Sequence, residues 1–194
     1  MNNIIQEMRE YADCNNVPII TDEGLRYILN YIKNNNIKNI LEIGTAIGYS
    51  AIMMACVSPD ITITTIERDE KRYLEAVKNI KKAHMENRIN IIYNDAFDVI
   101  LTDKFDLLFI DAAKAQNIKF FEMFQDNLND KATIITDNMK FHGLVSEKIE
   151  YIESRNVRQL VRKVREYKEF LENNNDYTTT FLDIGDGLAV SIKK

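Results

Sequence analysis

Three oxygen-bearing side chains follow two apolar segments that have the character of buried strands. Asp111 ends the segment at 105–111, and Asp137 and Asn138 follow the segment at 132–136. A carboxylate at the end of an apolar strand is costly unless it binds something. Because parallel strands end at the same edge of a sheet, we expect the three side chains to converge. Carboxylates and a carboxamide, without Cys or His, favour Mg²⁺, Mn²⁺ or Ca²⁺ over zinc. The alternative is that the acids only cap the helices that follow them.

Lys114 lies close behind the first of these acids in the sequence. Beside a bound metal its ammonium group would be repelled by positive charge and would lose its proton more readily. The lysine is therefore a candidate general base, and Asp111 and Lys114 are the predicted catalytic pair. The alternative is an ordinary solvated loop lysine. His142 follows the second acidic segment, where an ordinary loop histidine is favoured over a role near the metal or the substrate.

A glycine-rich turn follows the first predicted strand, at 38–43. Gly44 and Gly48 permit a tight turn and a close approach of the backbone to a ligand. The turn opens a helix whose free N–H groups face the ligand edge of the sheet. Its Gly-xxx-Gly spacing differs from the Gly-x-Gly-x-x-Gly spacing of dinucleotide sites, which argues against pyrophosphate binding and against a nicotinamide-dependent dehydrogenase. A purely structural turn is the alternative.

Acidic residues also end the second and third predicted strands. Glu67 ends the second strand, where a carboxylate can accept both ribose hydroxyls of a nucleoside, although a solvated charge is an equal alternative. Asn94, Asp95 and Ala96 follow the third strand, where side chains can reach an adenine edge. Asp95 is equally suited to capping the next short helix. Together, the three strand ends predict a site for an adenosine-like cofactor.

Alternating elements must carry these residues. Strands are predicted at 38–43, 61–67, 89–93, 105–111 and 132–136, and helices at 49–57, 69–85, 96–101 and 118–128. The alternation predicts βαβ units and a doubly wound, mostly parallel sheet. In the helix at 69–85, Leu74, Val77 and Ile80 have core spacing. The first 35 residues are predicted to be helical with a break at 15–18, and Thr21 or Asp22 is the candidate N-cap of the second helix.

The C-terminal part differs from this alternation. A long helix is predicted at 157–173, and the strands at 178–184 and 188–192 flank a Gly-Asp-Gly turn that is typical of a hairpin. The hairpin adds an antiparallel member to one edge of the sheet. Because no linker appears, we predict one domain over 1–194, with N-terminal helices at 1–35 and a Rossmann-like core at 36–194.

The bulk composition limits the function classes. A chain of 194 residues with a net charge of −5 is not coated in basic surface, although a local basic patch is compatible with it. No segment approaches the roughly 18 apolar residues of a membrane span, and the N-terminus does not resemble a signal peptide. Cys14 and Cys56 lack metal-binding spacing and are predicted to be reduced thiols. These features predict a cytoplasmic protein with no membrane contact.

Three segments resemble the metal-dependent O-methyltransferases, a family that includes the catechol and caffeoyl-CoA O-methyltransferases. They are LEIGTAIGYSA at 41–51, FIDAAK at 109–114 and TDN at 136–138. The resemblance implies a Rossmann-like fold, a homodimer, S-adenosylmethionine as methyl donor, a metal held by Asp111, Asp137 and Asn138, and Lys114 as base. The residues that it places near the methyl donor are Glu42, Gly44, Thr45, Gly48, Ser50, Glu67, Asp95, Ala96 and Asp111.

The C-terminal third resembles the bacterial tRNA 5-hydroxyuridine methyltransferases, in the segment at 155–158, the basic helix after it and TTTFLDIGDGLAVSI at 178–192. This resemblance implies conversion of wobble 5-hydroxyuridine to 5-methoxyuridine and contact with the anticodon region of tRNA. A catechol-type small molecule is the alternative acceptor, since both acceptors offer two adjacent oxygens to one metal. Four arginines at helical spacing form a stripe, with a lysine beside it. This stripe would contact the phosphates of tRNA, and the alternative is a solvated helix face. Its residues are Arg155, Arg158, Arg162, Lys163 and Arg165.

Overall fold

The computed structural model describes residues 1–141 and 143–194, and the side chain of Asn2 also lies outside the description. Two helices precede an alternation of strands and helices, and a hairpin ends the chain, as the sequence predicted. Within the described part of the chain, no helix is both long enough and apolar enough to cross a bilayer. The elements are α1 (Asn2–Asn15), α2 (Asp22–Asn34), β1 (Asn39–Ile43), α3 (Tyr49–Ala55), β2 (Thr62–Glu67), α4 (Glu70–Lys82), β3 (Ile89–Tyr93), β4 (Phe105–Ile110), α5 (Asn117–Phe124), β5 (Leu128–Thr136), α6 (Arg155–Glu172), β6 (Tyr177–Leu182) and β7 (Leu188–Lys193).

The strands form a seven-stranded sheet in the order β3-β2-β1-β4-β5-β7-β6. Strands β1 to β5 are parallel, whereas β7 is antiparallel to β5 and β6 is antiparallel to β7. This order confirms the predicted doubly wound sheet with an antiparallel hairpin. The strand order reverses direction between β1 and β4, and in such sheets ligands bind outside the carboxyl ends of the strands at that point.

Both faces of the sheet are covered by helices. Alternate residues of a strand point to opposite faces, so Ile40 packs into the core beneath α1, α2 and α3, and Leu41 packs into the core beneath α5 and α6. Leu107 and Leu108 of β4 divide between the two cores in the same way. The continuous apolar strands in the sequence follow from this double coverage.

Strand β5 begins earlier than the sequence indicated. Leu128 is buried and pairs with Phe105, in a position that was predicted to end a helix. Lys131 has a left-handed φ of 62°, and the register of β4 and β5 shifts at this irregularity. The polar residues before the predicted start at 132 therefore belong to an irregular strand. The predicted helix at 96–101 is a single 3₁₀ turn, Ala96–Asp98.

The predicted core face of α4 is wrong for two of its three residues. Leu74 is 58% exposed and Val77 is 37% exposed, whereas Ile80 is 3% exposed. The helix packs against β2 and β3 at the edge of the sheet, so only one narrow stripe of its surface meets other elements. Asn79 also lies on that stripe, where its Nδ2 donates to the Ile47 carbonyl oxygen at 3.0 Å.

Candidate active site

A cavity of about 310 Å³ lies at the carboxyl ends of β1 to β5. Its volume is that of a small-molecule site. One end is lined by residues that follow β2 and β3, and the other by residues that follow β4 and β5. The candidate site residues from the sequence that line it are Gly44, Glu67, Asn94, Asp95, Ala96, Asp111, Lys114, Asp137 and Asn138.

The glycine-rich turn closes the middle of the cavity. Gly44 has a φ of 100°, and Gly48, the N-cap of α3, has a φ of 83°. The N–H groups of Gly44 and Thr45 both donate to the Ile66 carbonyl oxygen, at 3.0 and 3.3 Å. These bonds tie the turn to the end of β2. Gly44 lines the cavity, whereas Thr45 and Gly48 lie behind the turn and do not.

Glu67 lies at the end of the cavity that is lined by residues following β2 and β3, where a nucleoside was predicted to bind. Its carboxylate is 6% exposed and accepts three backbone N–H groups. Ala46 donates to Oε2 at 2.8 Å, and Arg68 and Asp69 donate to Oε1 at 3.0 and 2.8 Å. A carboxylate oxygen has two lone pairs, so Oε2 retains the capacity to accept a ribose hydroxyl.

Glu42 and Ser50 lie beneath the turn instead of in the cavity wall. The Ser50 hydroxyl donates to Glu42 Oε1 at 2.5 Å, and the Thr65 hydroxyl donates to Oε2. The Thr65 and Thr45 hydroxyl oxygens are 2.6 Å apart. Burial raises the pKa of Glu42 to about 7, against the opposing effect of the two hydroxyl donors. The cluster therefore links β1, β2, α3 and the glycine-rich turn, and neither Glu42 nor Ser50 lines the cavity.

Asp95 caps the short helical turn that follows β3, which was one of its two predicted roles. Its Oδ1 accepts the Phe97 N–H at 3.1 Å, which caps the 3₁₀ turn. Its Oδ2 lies 3.3 Å from an Arg68 guanidinium nitrogen. Asp95 also lines the cavity together with Arg68 and Ala96. The capping bond orients the carboxylate, and the arginine adds a cation at this end of the cavity.

Asp111, Asp137 and Asn138 meet at the other end of the cavity. Adjacent strands bring them there, because Ile110 of β4 pairs with Thr136 of β5 and each acid follows directly. Asn138 has a left-handed φ of 69°. Its Oδ1 is buried and has no hydrogen-bond partner among the described residues. An acceptor in this state is costly unless a ligand completes it.

The electrostatics of this end also favour a cation. Burial raises the pKa of Asp111 to about 6, although the nearby Lys114 ammonium opposes the shift. Burial and the Asp111 carboxylate raise the pKa of Asp137 to about 7. Two carboxylates and an amide oxygen therefore fit a hard divalent cation. The described chain has no group of three His, Cys, Asp or Glu residues that could hold a metal ion, so Asn138 would have to be the third ligand. His142 lies outside the described residues.

Further residues of the cavity wall were missed by sequence reasoning. Asp186 lines the acidic end, because the Gly-Asp-Gly turn between β6 and β7 packs beside it. The Lys140 N–H donates to the Asp186 carbonyl oxygen at 2.8 Å, which holds the turn in place. The sequence indicated only a hairpin there. Other lining residues that were missed include Ile19, Ile20 and Thr21 from the α1–α2 connection, and Arg68 and Arg72.

Two arginines of the predicted tRNA-binding stripe donate hydrogen bonds to backbone carbonyl oxygens of the same chain. Arg158 donates to the carbonyl oxygens of Ile152 and Glu153 at 2.7 and 3.1 Å. Arg165 donates to the Val145 carbonyl oxygen from Nε at 3.0 Å and from Nη2 at 2.8 Å. Both guanidinium groups therefore hold the segment that precedes α6 against that helix.

The other members of the stripe face solvent. Arg155, Arg162 and Lys163 are exposed. Lys163 forms an ion pair with Glu166 at 2.7 Å. The side chains of this helix that are most available to an external anion are therefore Arg155 and Arg162.

A model of the O-methyltransferase family matches residues 1–194. A crystal structure from Staphylococcus aureus, provisionally described as a caffeoyl-CoA O-methyltransferase, is 48% identical, covers 98% of this chain and 92% of that chain, and has a TM-score of 0.94. The catechol O-methyltransferase of Niastella koreensis is 31% identical over 169 residues, which are 81% of this chain and 74% of that protein. The O-methyltransferase from Bacillus cereus, solved in complex with SAH, is 25% identical, covers 99% and 91% of the two chains, and has a TM-score of 0.85.

Proposed function

The chain belongs to the O-methyltransferase family, and on this premise we propose that it transfers the methyl group of S-adenosylmethionine to a hydroxyl oxygen beside a bound divalent metal. One observation carries the proposal. A single cavity joins a nucleoside end at Glu67 to an acidic end at Asp111, Asp137 and Asn138. The donor and the acceptor could therefore be held in contact within one cavity.

The nucleoside end suits S-adenosylmethionine. Glu67 would accept ribose hydroxyls through its free carboxylate capacity, Asp95 and Ala96 would contact the adenine edge, and Gly44 would allow close approach of the backbone. The complex of the Bacillus cereus relative with SAH supports the same type of cofactor. Glu42, Thr45, Gly48 and Ser50 support this end from beneath the turn.

The acidic end suits Mg²⁺, with Mn²⁺ or Ca²⁺ as alternatives. Asp111 and Asp137 supply carboxylate oxygens, and the Asn138 Oδ1 is a buried acceptor that a cation would complete. When bound there, a divalent cation would acidify a chelated hydroxyl and fix its position.

Lys114 is the residue of the cavity best placed to receive a proton. The Lys114 amine would take the proton of the acceptor hydroxyl, and the oxygen lone pair would attack the methyl carbon. The carbon–sulfur bond of the donor would break with its electron pair returning to sulfur, so the sulfonium would leave as the neutral thioether of S-adenosylhomocysteine. The proton then passes from Lys114 to solvent. Because the attack is in line, its rate depends mainly on how the cavity holds the two reactants.

We propose 5-hydroxyuridine at the wobble position of tRNA as the acceptor. Its 5-hydroxyl and 4-carbonyl oxygens are adjacent and can share one cation. Arg155 and Arg162 are exposed on α6 and can meet the phosphates of a polyanion. This acceptor also places the enzyme in the cytoplasm. The homodimer suggested by the family resemblance stays a prediction.

A small catechol-type molecule is the second candidate acceptor. The observation in its favour is the likeness to the catechol O-methyltransferase of Niastella koreensis. A catechol offers the same pair of adjacent oxygens. It needs no contact with the basic face of α6.

The test is a direct assay of the purified protein with S-adenosylmethionine and Mg²⁺. One reaction contains tRNA bearing 5-hydroxyuridine, a second contains the same tRNA with unmodified uridine, and a third contains catechol. Mass spectrometry measures 5-methoxyuridine and methylated catechol. Efficient and exclusive methylation of the hydroxylated tRNA supports the first acceptor. Product from catechol alone favours the second, and no methylated product from either would refute the proposed function.

A further inference from the structure

Phe141 has a backbone conformation that a bulky residue rarely adopts. Its φ is 46°, in the left-handed region that favours glycine and asparagine. Its N–H donates to the Asn138 carbonyl oxygen at 3.3 Å, and its own carbonyl oxygen accepts the Leu144 N–H at 3.1 Å. Strained residues of this kind concentrate at functional sites, where the surrounding structure holds them.

The turn around Phe141 is held from α6. The Val145 N–H donates to the Lys140 carbonyl oxygen at 3.2 Å, closing the turn across Phe141. Arg165 donates twice to the Val145 carbonyl oxygen and once to that of Glu147. These bonds set the position of the Phe141 side chain beside the cavity.

The ring of Phe141 meets the candidate base. The Nζ of Lys114 lies 5.6 Å from the ring centroid, within the range of a cation–π contact. Lys114 is attracted by the charges of Asp111 and Asp137. Nevertheless, no carboxylate of the described chain lies within 4 Å of its ammonium group. The aromatic face thus offers the ammonium a partner other than the two carboxylates.

We propose that Phe141 is a positioning residue for Lys114, whose amine it holds at the cavity wall and away from Asp111 and Asp137. This inference rests on the proposed function, in which Lys114 receives the proton of the acceptor. The arrangement has two consequences. The carboxylates stay available to a cation, and the amine stays directed at the acceptor hydroxyl. The strained backbone is retained because the ring must occupy this place.

The kinetic test compares Phe141→Leu with Phe141→Tyr. Leu keeps apolar bulk but removes the aromatic face, so kcat should fall roughly tenfold, whereas Tyr should retain most of the rate. The dissociation constant for S-adenosylmethionine, measured by calorimetry, should stay within about twofold of the wild-type value. Phe181→Leu is the matched control, because Lys168 lies 5.2 Å from the Phe181 ring and neither residue lines the cavity. An unchanged kcat in Phe141→Leu would overturn the proposal.

A double-mutant cycle separates positioning from direct contact with the acceptor. If Phe141 acts through Lys114, adding Phe141→Leu to Lys114→Ala causes no further loss of activity. If the ring binds the acceptor directly, the roughly tenfold loss persists in the Lys114→Ala background, and the proposal is wrong.

A spectroscopic test needs no catalytic activity, so its result is independent of the proposed function. The lysines of the protein are reductively methylated with ¹³C, and the Lys114 signal is identified by its absence from Lys114→Arg. In the wild type and in Phe141→Tyr, the ring current should move this signal upfield from those of the exposed lysines. In Phe141→Leu it should return to them. A Lys114 signal that is already among the exposed lysines in the wild type would contradict the proposed contact.

Discussion

Gly44 and Asp111 approach so closely that a Cβ atom at Gly44 would lie 2.2 Å from the Asp111 carbonyl oxygen. The Asp111 N–H donates to the Ile43 carbonyl oxygen at 3.0 Å, immediately before this contact. The cofactor turn after β1 is therefore packed directly on the backbone of the residue that begins the acidic end. This contact sets the separation between the two reactants that the cavity would hold.

Gly44→Ala should therefore destabilise the protein and weaken binding of S-adenosylmethionine. The new methyl group meets backbone atoms that cannot rotate away, and the φ of 100° is unfavourable for alanine. We expect a loss of roughly 2–5 kcal/mol in the free energy of unfolding, measured with urea.

Gly143→Ala is the matched control for this change. Gly143 also has a positive φ, of 81°, but a Cβ there would meet nothing within 4 Å. Alanine at this position tests backbone strain without the clash, so it should cost about 1 kcal/mol. Equal losses in the two variants would show that the contact with Asp111 is unimportant.

Glu42 should make the stability of the protein depend on pH. Burial raises its pKa from 4.5 to about 7. Between about pH 4.5 and pH 7 the native state keeps a proton that the unfolded state has lost, so the free energy of unfolding falls as the pH rises. The Glu42→Gln side chain is neutral at every pH, so this variant should lack the contribution of Glu42 to the fall in the free energy of unfolding. That contribution is on the order of 3 kcal/mol between pH 4 and pH 8.

Urea unfolding of the wild type and Glu42→Gln at several pH values measures this difference. Asp111 and Asp137 keep their raised pKa values in both proteins, so some pH dependence should remain in the variant. Identical pH profiles for the two proteins would mean that Glu42 is ionised in the native state.

Removal of the metal or of one of its proposed ligands should abolish turnover. EDTA should stop methyl transfer, and added Mg²⁺ should restore it. Asp137→Ala or Asn138→Ala should lower kcat roughly 100-fold or more and remove the rise in melting temperature that Mg²⁺ produces in the wild type. Asp103→Asn, an exposed aspartate at the opposite edge of the sheet, is the control. Full activity in EDTA would rule out the metal.

Arg162→Glu should impair only the reaction with tRNA, whereas Arg165→Glu should impair the reactions with both acceptors. Arg162 is exposed, so its charge reversal should lower activity on tRNA about tenfold at low salt and leave catechol methylation unchanged. Arg165 holds the carbonyl oxygen of Val145, so its reversal should impair both reactions. Activity on tRNA that is insensitive to salt and to Arg162→Glu would count against the polyanionic acceptor.

The periodicity of apolar residues was sufficient to predict the parallel sheet and most of its helices, and the Gly-Asp-Gly turn predicted the C-terminal hairpin. Since parallel strands end at one edge, the same pattern placed Glu67, Asp95, Asp111 and Asp137 around a common site, and the cavity is lined by all four. Their positions in the sequence were sufficient because the end of a strand is determined by the residues close to it in the chain. The start of β5 was missed, because its pairing with β4 depends on a distant strand and an irregular register.

Only the tertiary structure decided which way the other side chains face. Glu42 lies on the Ile40 face of β1, beneath α3, and so supports the turn instead of lining the cavity. Arg158 and Arg165 have the spacing of an exposed stripe, yet carbonyl oxygens of the preceding segment occupy them. Asp186 reaches the acidic end across a long separation in the chain. Phe141 reaches Lys114 through a strained turn. Such contacts depend on the packing of whole elements against one another, which residue spacing along the chain does not specify.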